Sequence, residues 1–173
     1  MNDAEGLAIA IEEAKAGASE GGVPIGAALV SADGKLLGRG HNRRVQMGSA
    51  IHHGETDALF NSGRLPGRAY KGSTIYTTLS PCDMCTGACL LYGISRVVIG
   101  ENKTFLGGEA YLKQRGVEVV VLDSAECKAL MDKFIAEKPE VWYAFATSEP
   151  SPSTELLGDA KLILNRNEDI GEE

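Results

Sequence analysis

Ser73-Thr-Ile-Tyr-Thr-Thr-Leu-Ser-Pro-Cys-Asp-Met-Cys-Thr-Gly87 changes character halfway along. Its first six residues are mostly β-branched or aromatic and read as a strand. Ser80-Pro81 then reads as a helix start, because serine caps a helix well and proline suits the first helical position. The helix is expected over 82–92, stopping near Gly93. Cys82 and Cys85 are three apart, so they share one side of its first turn. The free N–H groups and positive dipole end there favour thiolate over thiol. A strand feeding straight into a helix that opens on two sulfurs is the unit around which the chain is read.

Working outward, Arg96–Gly100 and Val117–Leu122 read as buried strands, with a short helix near 108–115 between them. Ser124–Glu137 reads as a helix followed by Pro139. On the N-terminal side, Leu7, Ala8, Ile11, Ala14 and Ala18 recur at helical spacing and predict a helix over 4–19. Gly21-Gly22-Val23-Pro24 breaks it. Ile25–Val30 and Lys35–Gly40 form a hairpin through Ala32-Asp33-Gly34. Residues 53–62 read as a helix with Ala58, Leu59 and Phe60 facing inward. Strands alternating with helices imply a three-layer α/β/α sandwich around a mixed five-stranded sheet. The last three strands are joined through helices, which permits parallel pairing.

The length of 173 residues suits one core, and a single folded domain is expected over 1–146. Residues 147–173 form a tail: a Pro/Ser-rich connection at Thr147–Thr154, a short helix within Glu155–Asn165, then the terminus. The net charge of −7 argues against a nucleic-acid partner. No apolar run is long enough for a membrane span. The acidic start Met1-Asn2-Asp3-Ala4-Glu5 has no signal-peptide pattern, so a reducing cytoplasmic setting (or the nucleus) is expected. The four cysteines then serve as thiols or ligands rather than disulfides.

His53-Gly54-Glu55 supplies what the two sulfurs lack. One imidazole and two thiolates are three ligands for a tetrahedral zinc ion, with an open fourth position that marks a catalytic rather than a structural site. Residues two apart do not share a helix face, so His53 must lie at or before the first turn, with Glu55 reaching round. Glu55 is then the proton carrier. The arrangement His-x-Glu … Pro-Cys-x-x-Cys matches zinc-dependent base deaminases. The competing reading is a zinc ribbon, which needs a fourth Cys or His. Cys89 is the local candidate, but inside an apolar helix it reads as packing. Cys127 reads as a bland thiol, His52 as a local hydrogen-bond partner and His41 as structural. On residue type alone, Asn42 is a turn or strand-end residue, Phe105 and Trp142 are core anchors, and Asp169 is a solvated charge.

The chain resembles the fungal cytosine deaminases of the cytidine deaminase-like superfamily. The resemblance rests on Glu20–Gly26 (Glu-Gly-Gly-Val-Pro-Ile-Gly), Gly38-Arg39-Gly40-His41-Asn42, Gly48-Ser49-Ala50, His53-Gly54-Glu55, Gly63-Arg64-Leu65 and Tyr76–Gly87. Gly100-Glu101-Asn102, Tyr111-Leu112, Arg115-Gly116, Glu118–Val121 and Glu168-Asp169-Ile170-Gly171-Glu172 extend it. It implies a cytidine deaminase-like fold, a homodimer with zinc in each subunit, and conversion of cytosine to uracil and ammonia in pyrimidine salvage. By position it implies zinc on His53, Cys82 and Cys85, and proton transfer by Glu55. It also implies base contacts from Asn42, Gly54, Ser80 and Asp169, with Leu79, Phe105, Trp142 and Ile25 around the ring. Other enzymatic readings are a guanine or nucleoside deaminase. Non-enzymatic ones are a nucleic-acid-editing subunit or a protein that keeps zinc only for folding. The chain departs from the resemblance at 144–167, which separates the tryptophan segment from the Asp-Ile-Gly-Glu ending.

Overall fold

The third strand, β3 (Thr74–Leu79), sits at the centre of a sheet whose two faces are told apart by alternate residues. In the computed structural model, which describes residues 1–146, Ile75, Val97 and Ile99 point into one core. Their neighbours Tyr76 and Val98 point into another. This is the period-two alternation of a strand buried on both sides.

The elements in order are α1 (Asp3–Ser19), β1 (Gly26–Val30), β2 (Leu36–His41), α2 (Arg44–Met47), α3 (Gly54–Asn61) and α4 (Gly67–Tyr70). β3 (Thr74–Leu79), α5 (Asp83–Tyr92), β4 (Arg96–Glu101), α6 (Glu109–Gln114), β5 (Glu118–Val121) and α7 (Ala125–Glu137) complete a first compact unit, Met1–Glu137. A second unit begins at Lys138 and contains α8 (Pro139–Ala146). The strand order is β2-β1-β3-β4-β5. The β2–β1 and β1–β3 pairs are antiparallel; β3–β4 and β4–β5 are parallel. The expected mixed five-stranded α/β sandwich is therefore present, and the hairpin supplies the antiparallel edge.

One face carries Leu7, Ala10 and Ile11 of α1 with Cys127 of α7, packed on Ala28, Val30, Tyr76 and Val98. The other carries Cys89 of α5 and Leu112 of α6 on Leu29, Ile75, Val97 and Ile99. α3 lies on β2 at very close range. A Cβ on Gly38 would stand 2.3 Å from the Ala58 carbonyl oxygen, and one on Gly40 would stand 2.5 Å from Asp57 Oδ2. Only hydrogen at both positions lets α3 seat there, and this seating fixes where its first turn points.

Several expectations need correction. The buried stripe of α1 is Gly6, Leu7, Ala10, Ile11, Ala14 and Gly17, whereas Ala8 and Ala18 face solvent. Phe60 is 70% exposed rather than inward, because the seating of α3 on glycines turns Ala58 to the sheet. Ser80 is not the cap of α5; Cys82 is, with extended φ −66° and ψ 173°. A further helix, α8, begins at Pro139, where the sequence reading stops the preceding one. The expected tail connection and its short helix lie outside the described residues. No described helix is long and apolar enough to cross a membrane.

Candidate metal centre and active site

Two helix starts meet at the C-terminal end of β3. His53 caps α3 from an extended conformation, φ −85° and ψ 168°, and its N–H donates to the Thr56 hydroxyl at 2.9 Å. Cys82 caps α5, and Cys85 follows in the first turn. The three ligand atoms lie within 4.8 Å of one another. His53 Nδ1 is 3.4 Å from Cys82 Sγ and 3.7 Å from Cys85 Sγ. Zinc–nitrogen and zinc–sulfur bonds of about 2.05 and 2.3 Å at the tetrahedral angle put N and S about 3.6 Å apart. The two observed separations bracket that value, so the donor set fits zinc through Nδ1 and both sulfurs.

All four cysteines are free thiols. Before any cation is considered, the Cys82 thiol is held down to about 4, first by the hydrogen bond from Cys85 and then by that from His53, against the opposing effect of burial. Cys85 is pushed far up by sharing its proton with Cys82 and by burial. Cys89 is fully buried in the core, and burial raises its thiol as well, which agrees with packing rather than ligation.

Glu55 stands in the first turn of α3, two residues beyond the imidazole, and is 3% exposed. Burial raises its carboxyl above the usual range, and the Cys82 charge adds to this. The backbone N–H of Glu55 and the imidazole partly oppose the shift. Thr77, buried on β3, donates its hydroxyl to Glu55 Oε1 at 3.0 Å and lies equally close to the Leu79 carbonyl oxygen. This hydroxyl orients the carboxylate. The sequence reading missed it, since a threonine that orients a carboxylate looks like any β-branched strand residue.

The structure brings most of the other candidates to the same end of the sheet. Asn42 follows β2 and is buried. Its N–H donates to the Ile25 carbonyl at 2.8 Å and its Oδ1 accepts from Arg44 N–H at 3.1 Å. A Cβ on Gly54 would be 3.2 Å from that same Ile25 oxygen, so Ile25, Asn42 and Gly54 close on one another. Leu79 and Ser80 are buried where β3 runs into the ligand turn. Phe105, half-buried, sits in the loop after β4. That loop reaches the ligand turn through Gly108 N–H to the Pro81 carbonyl at 2.9 Å. Trp142 lies on α8, in the second unit. Asp169 lies outside the described residues.

The histidines not assigned to the metal behave as expected. His52 Nδ1 pairs with the Ser49 hydroxyl at 2.8 Å. His41 is clasped between Glu13 and Glu20, at 2.8 and 3.0 Å.

Comparison with known proteins agrees with this geometry. Residues 1–101 match the family described as the cytidine and deoxycytidylate deaminase zinc-binding region. A cytosine deaminase of Candida albicans is 60% identical over 142 residues, 82% of this chain and 95% of that protein. A tRNA-specific adenosine deaminase of Bacillus subtilis is 40% identical over 92 residues, 53% of this chain and 56% of that protein. Among solved structures, a guanine deaminase from Nitrosomonas europaea shares the fold, with a TM-score of 0.64 at 24% identity over 79% of this chain and 85% of that one. The sulfur and imidazole cluster, the carboxylate beside it and these likenesses agree: the chain belongs to the family of zinc-binding cytidine and deoxycytidylate deaminases.

Proposed function

We propose that the chain catalyses the hydrolytic deamination of cytosine to uracil and ammonia. The observation that carries the choice of base is the likeness to the Candida albicans cytosine deaminase along nearly its whole length. His53 Nδ1, Cys82 Sγ and Cys85 Sγ would hold the zinc. Bound there, zinc supplies a Lewis acid that makes water a usable nucleophile near neutral pH. Glu55 carries the protons. Its Oε1 is engaged by Thr77, which leaves Oε2 to take a proton from the attacking water. That proton passes to the ring nitrogen, and a second transfer lets the amino group depart as ammonia. A carboxyl held above its usual range by burial is a stronger base than an exposed one, which suits it to taking a proton from water.

Asn42 and the backbone of Gly54 and Ser80 would supply hydrogen bonds to the base, with Leu79, Phe105 and Ile25 as walls of its pocket; Trp142, in the second unit, is a wall residue by resemblance alone. The resemblance would give Asp169, outside the described residues, a base contact as well, with a catalytic domain over 1–146 and a tail over 147–173. Truncation at Ser148 tests this last assignment; unchanged cytosine turnover would remove Asp169 from the site. The same reading takes a free base rather than a nucleoside as substrate. Incubating the zinc-loaded chain with cytosine, cytidine, guanine and adenosine, and following the ultraviolet band of each, tests the choice. Turnover of another substrate without cytosine would overturn it.

The protein acts as a cytoplasmic homodimer. Phe60 of α3 is 70% exposed and Leu91 of α5 is 78% exposed. With Leu65, Tyr70 and Tyr92 they line a depression of about 810 Å³ that includes none of the zinc ligands. An apolar face of this kind suits a symmetric partner copy. Sedimentation of a Leu91→Lys variant as a monomer supports this assignment, and sedimentation as a dimer excludes the face.

A further inference from the structure

Two carboxylates that the chemistry above does not use, Glu101 and Glu109, are both buried. They stand at opposite ends of the loop 102–108 that carries Phe105. At the leading end, Glu101 Oε2 accepts from Lys103 N–H at 2.7 Å and Thr104 N–H at 3.0 Å. At the trailing end, Glu109 Oε1 accepts from the Ser80 hydroxyl at 2.7 Å and from Asn102 Nδ2 at 3.2 Å. The Ser80 oxygen in turn accepts from Gly107 N–H at 3.0 Å. The Ser80 N–H donates to the Glu101 carbonyl at 3.1 Å. A Cβ on Gly107 would stand 1.9 Å from the Pro81 carbonyl oxygen, so loop and ligand turn are in backbone contact.

We propose that Glu109 is a positioning residue for substrate binding: acting through the Ser80 hydroxyl, it locks the Phe105 loop onto the turn that leads into Cys82. This rests on the deaminase reading above. The residues on either side of the lock are a wall of the base pocket and a backbone contact to the base, so loosening it acts on substrate affinity before chemistry. Serine at position 80 is used here as a relay. Its hydroxyl donates to the carboxylate and accepts from the loop, a combination that neither alanine nor cysteine reproduces well.

The test uses the zinc-loaded full chain carrying Glu109→Ala, Glu109→Gln or Ser80→Ala. Removing an acceptor shared by a buried donor, Ser80, and a half-buried one, Asn102, is expected to raise KM for cytosine about 10-fold in Glu109→Ala, with kcat changed less than about 3-fold. Peptides spanning 102–108 should exchange their amide hydrogens faster, and bound zinc should stay at the wild-type level. Glu109→Gln keeps an acceptor and should recover most of the KM. Ser80→Ala should move KM and exchange in the same direction as Glu109→Ala, and it decides the matter if Glu109→Ala does not fold. Wild-type KM and wild-type exchange in Ser80→Ala would overturn the proposal, as would a Glu109→Gln enzyme as impaired as Glu109→Ala. Absence of cytosine turnover by the wild-type chain would sink the substrate reading instead, and the exchange comparison would still decide the lock.

Discussion

Replacing Thr77 by valine removes one hydroxyl and leaves the shape of β3 almost unchanged. In the structure that hydroxyl is 3.0 Å from Glu55 Oε1 and 3.0 Å from the Leu79 carbonyl oxygen. A single proton cannot serve both acceptors fully. A hydrogen bond to a charged acceptor contributes about 1.5–3 kcal/mol, and sharing places this one at the lower end. If the bond holds Glu55 in its reactive orientation, a loss of about 1.5 kcal/mol corresponds to a kcat about 10-fold lower. Zinc binding should be unaffected, because none of the three ligand atoms touches the hydroxyl. Thr77→Ser keeps the donor and should restore most of the rate. The assay is the loss of cytosine absorbance, run beside elemental zinc analysis and thermal melting. A Thr77→Val enzyme within about 2-fold of wild type would refute the assigned orientation, since that is well under the effect of one charge-assisted bond. So would a Thr77→Ser enzyme as slow as Thr77→Val.

Glu55→Gln should retain zinc and lower kcat by about 10²–10⁴-fold, the usual contribution of a positioned acid–base group; steady-state kinetics with metal analysis checks both halves. Cys85→Ala removes one of the three ligands and should lower zinc content and activity together, while circular dichroism stays native. His41 gives a pH signature. Burial alone would lower its pKa, but hydrogen bonds and charge from Glu13 and Glu20 outweigh this and raise it. A raised folded value means that the clasp stabilises the fold fully below the ordinary histidine value of 6.5, and the benefit is lost as pH rises through the higher folded value. The Tm difference between wild type and His41→Gln should therefore be largest in mild acid and shrink in mild alkali. A difference independent of pH would exclude the charged clasp.

The order of strands and helices was legible because β-branched runs alternate with helical spacing, and Gly93 and Gly21-Gly22 mark the stops. The metal ligands were legible because their chemistry is tied to spacing: three residues on one turn, and a histidine ahead of a glutamate. The inward face of α1 was misread since Gly6 and Gly17 look like poor helix residues, whereas their lack of bulk is what lets the helix approach the sheet. Phe60 was misread because apolar character alone does not say which way a helix is rolled, and that depends on Gly38 and Gly40 across the interface. By residue type Ser80 is the natural cap. The structure puts the N-cap backbone position at Cys82, whose thiol makes no capping hydrogen bond, and gives the Ser80 hydroxyl to Glu109. Thr77, Glu101 and Glu109 were silent because nothing local separates an oriented buried polar side chain from an ordinary strand threonine or a surface glutamate.

The ligands reside at the caps of α3 and α5, outside both apolar clusters that bind helices to sheet. Assembly of the scaffold is therefore expected not to wait for the ion, in contrast to zinc fingers, whose folding free energy is largely that of metal capture. The apo chain should be native. Cobalt or cadmium could then be exchanged into the site by dialysis without refolding, giving a spectroscopic handle on the coordination sphere.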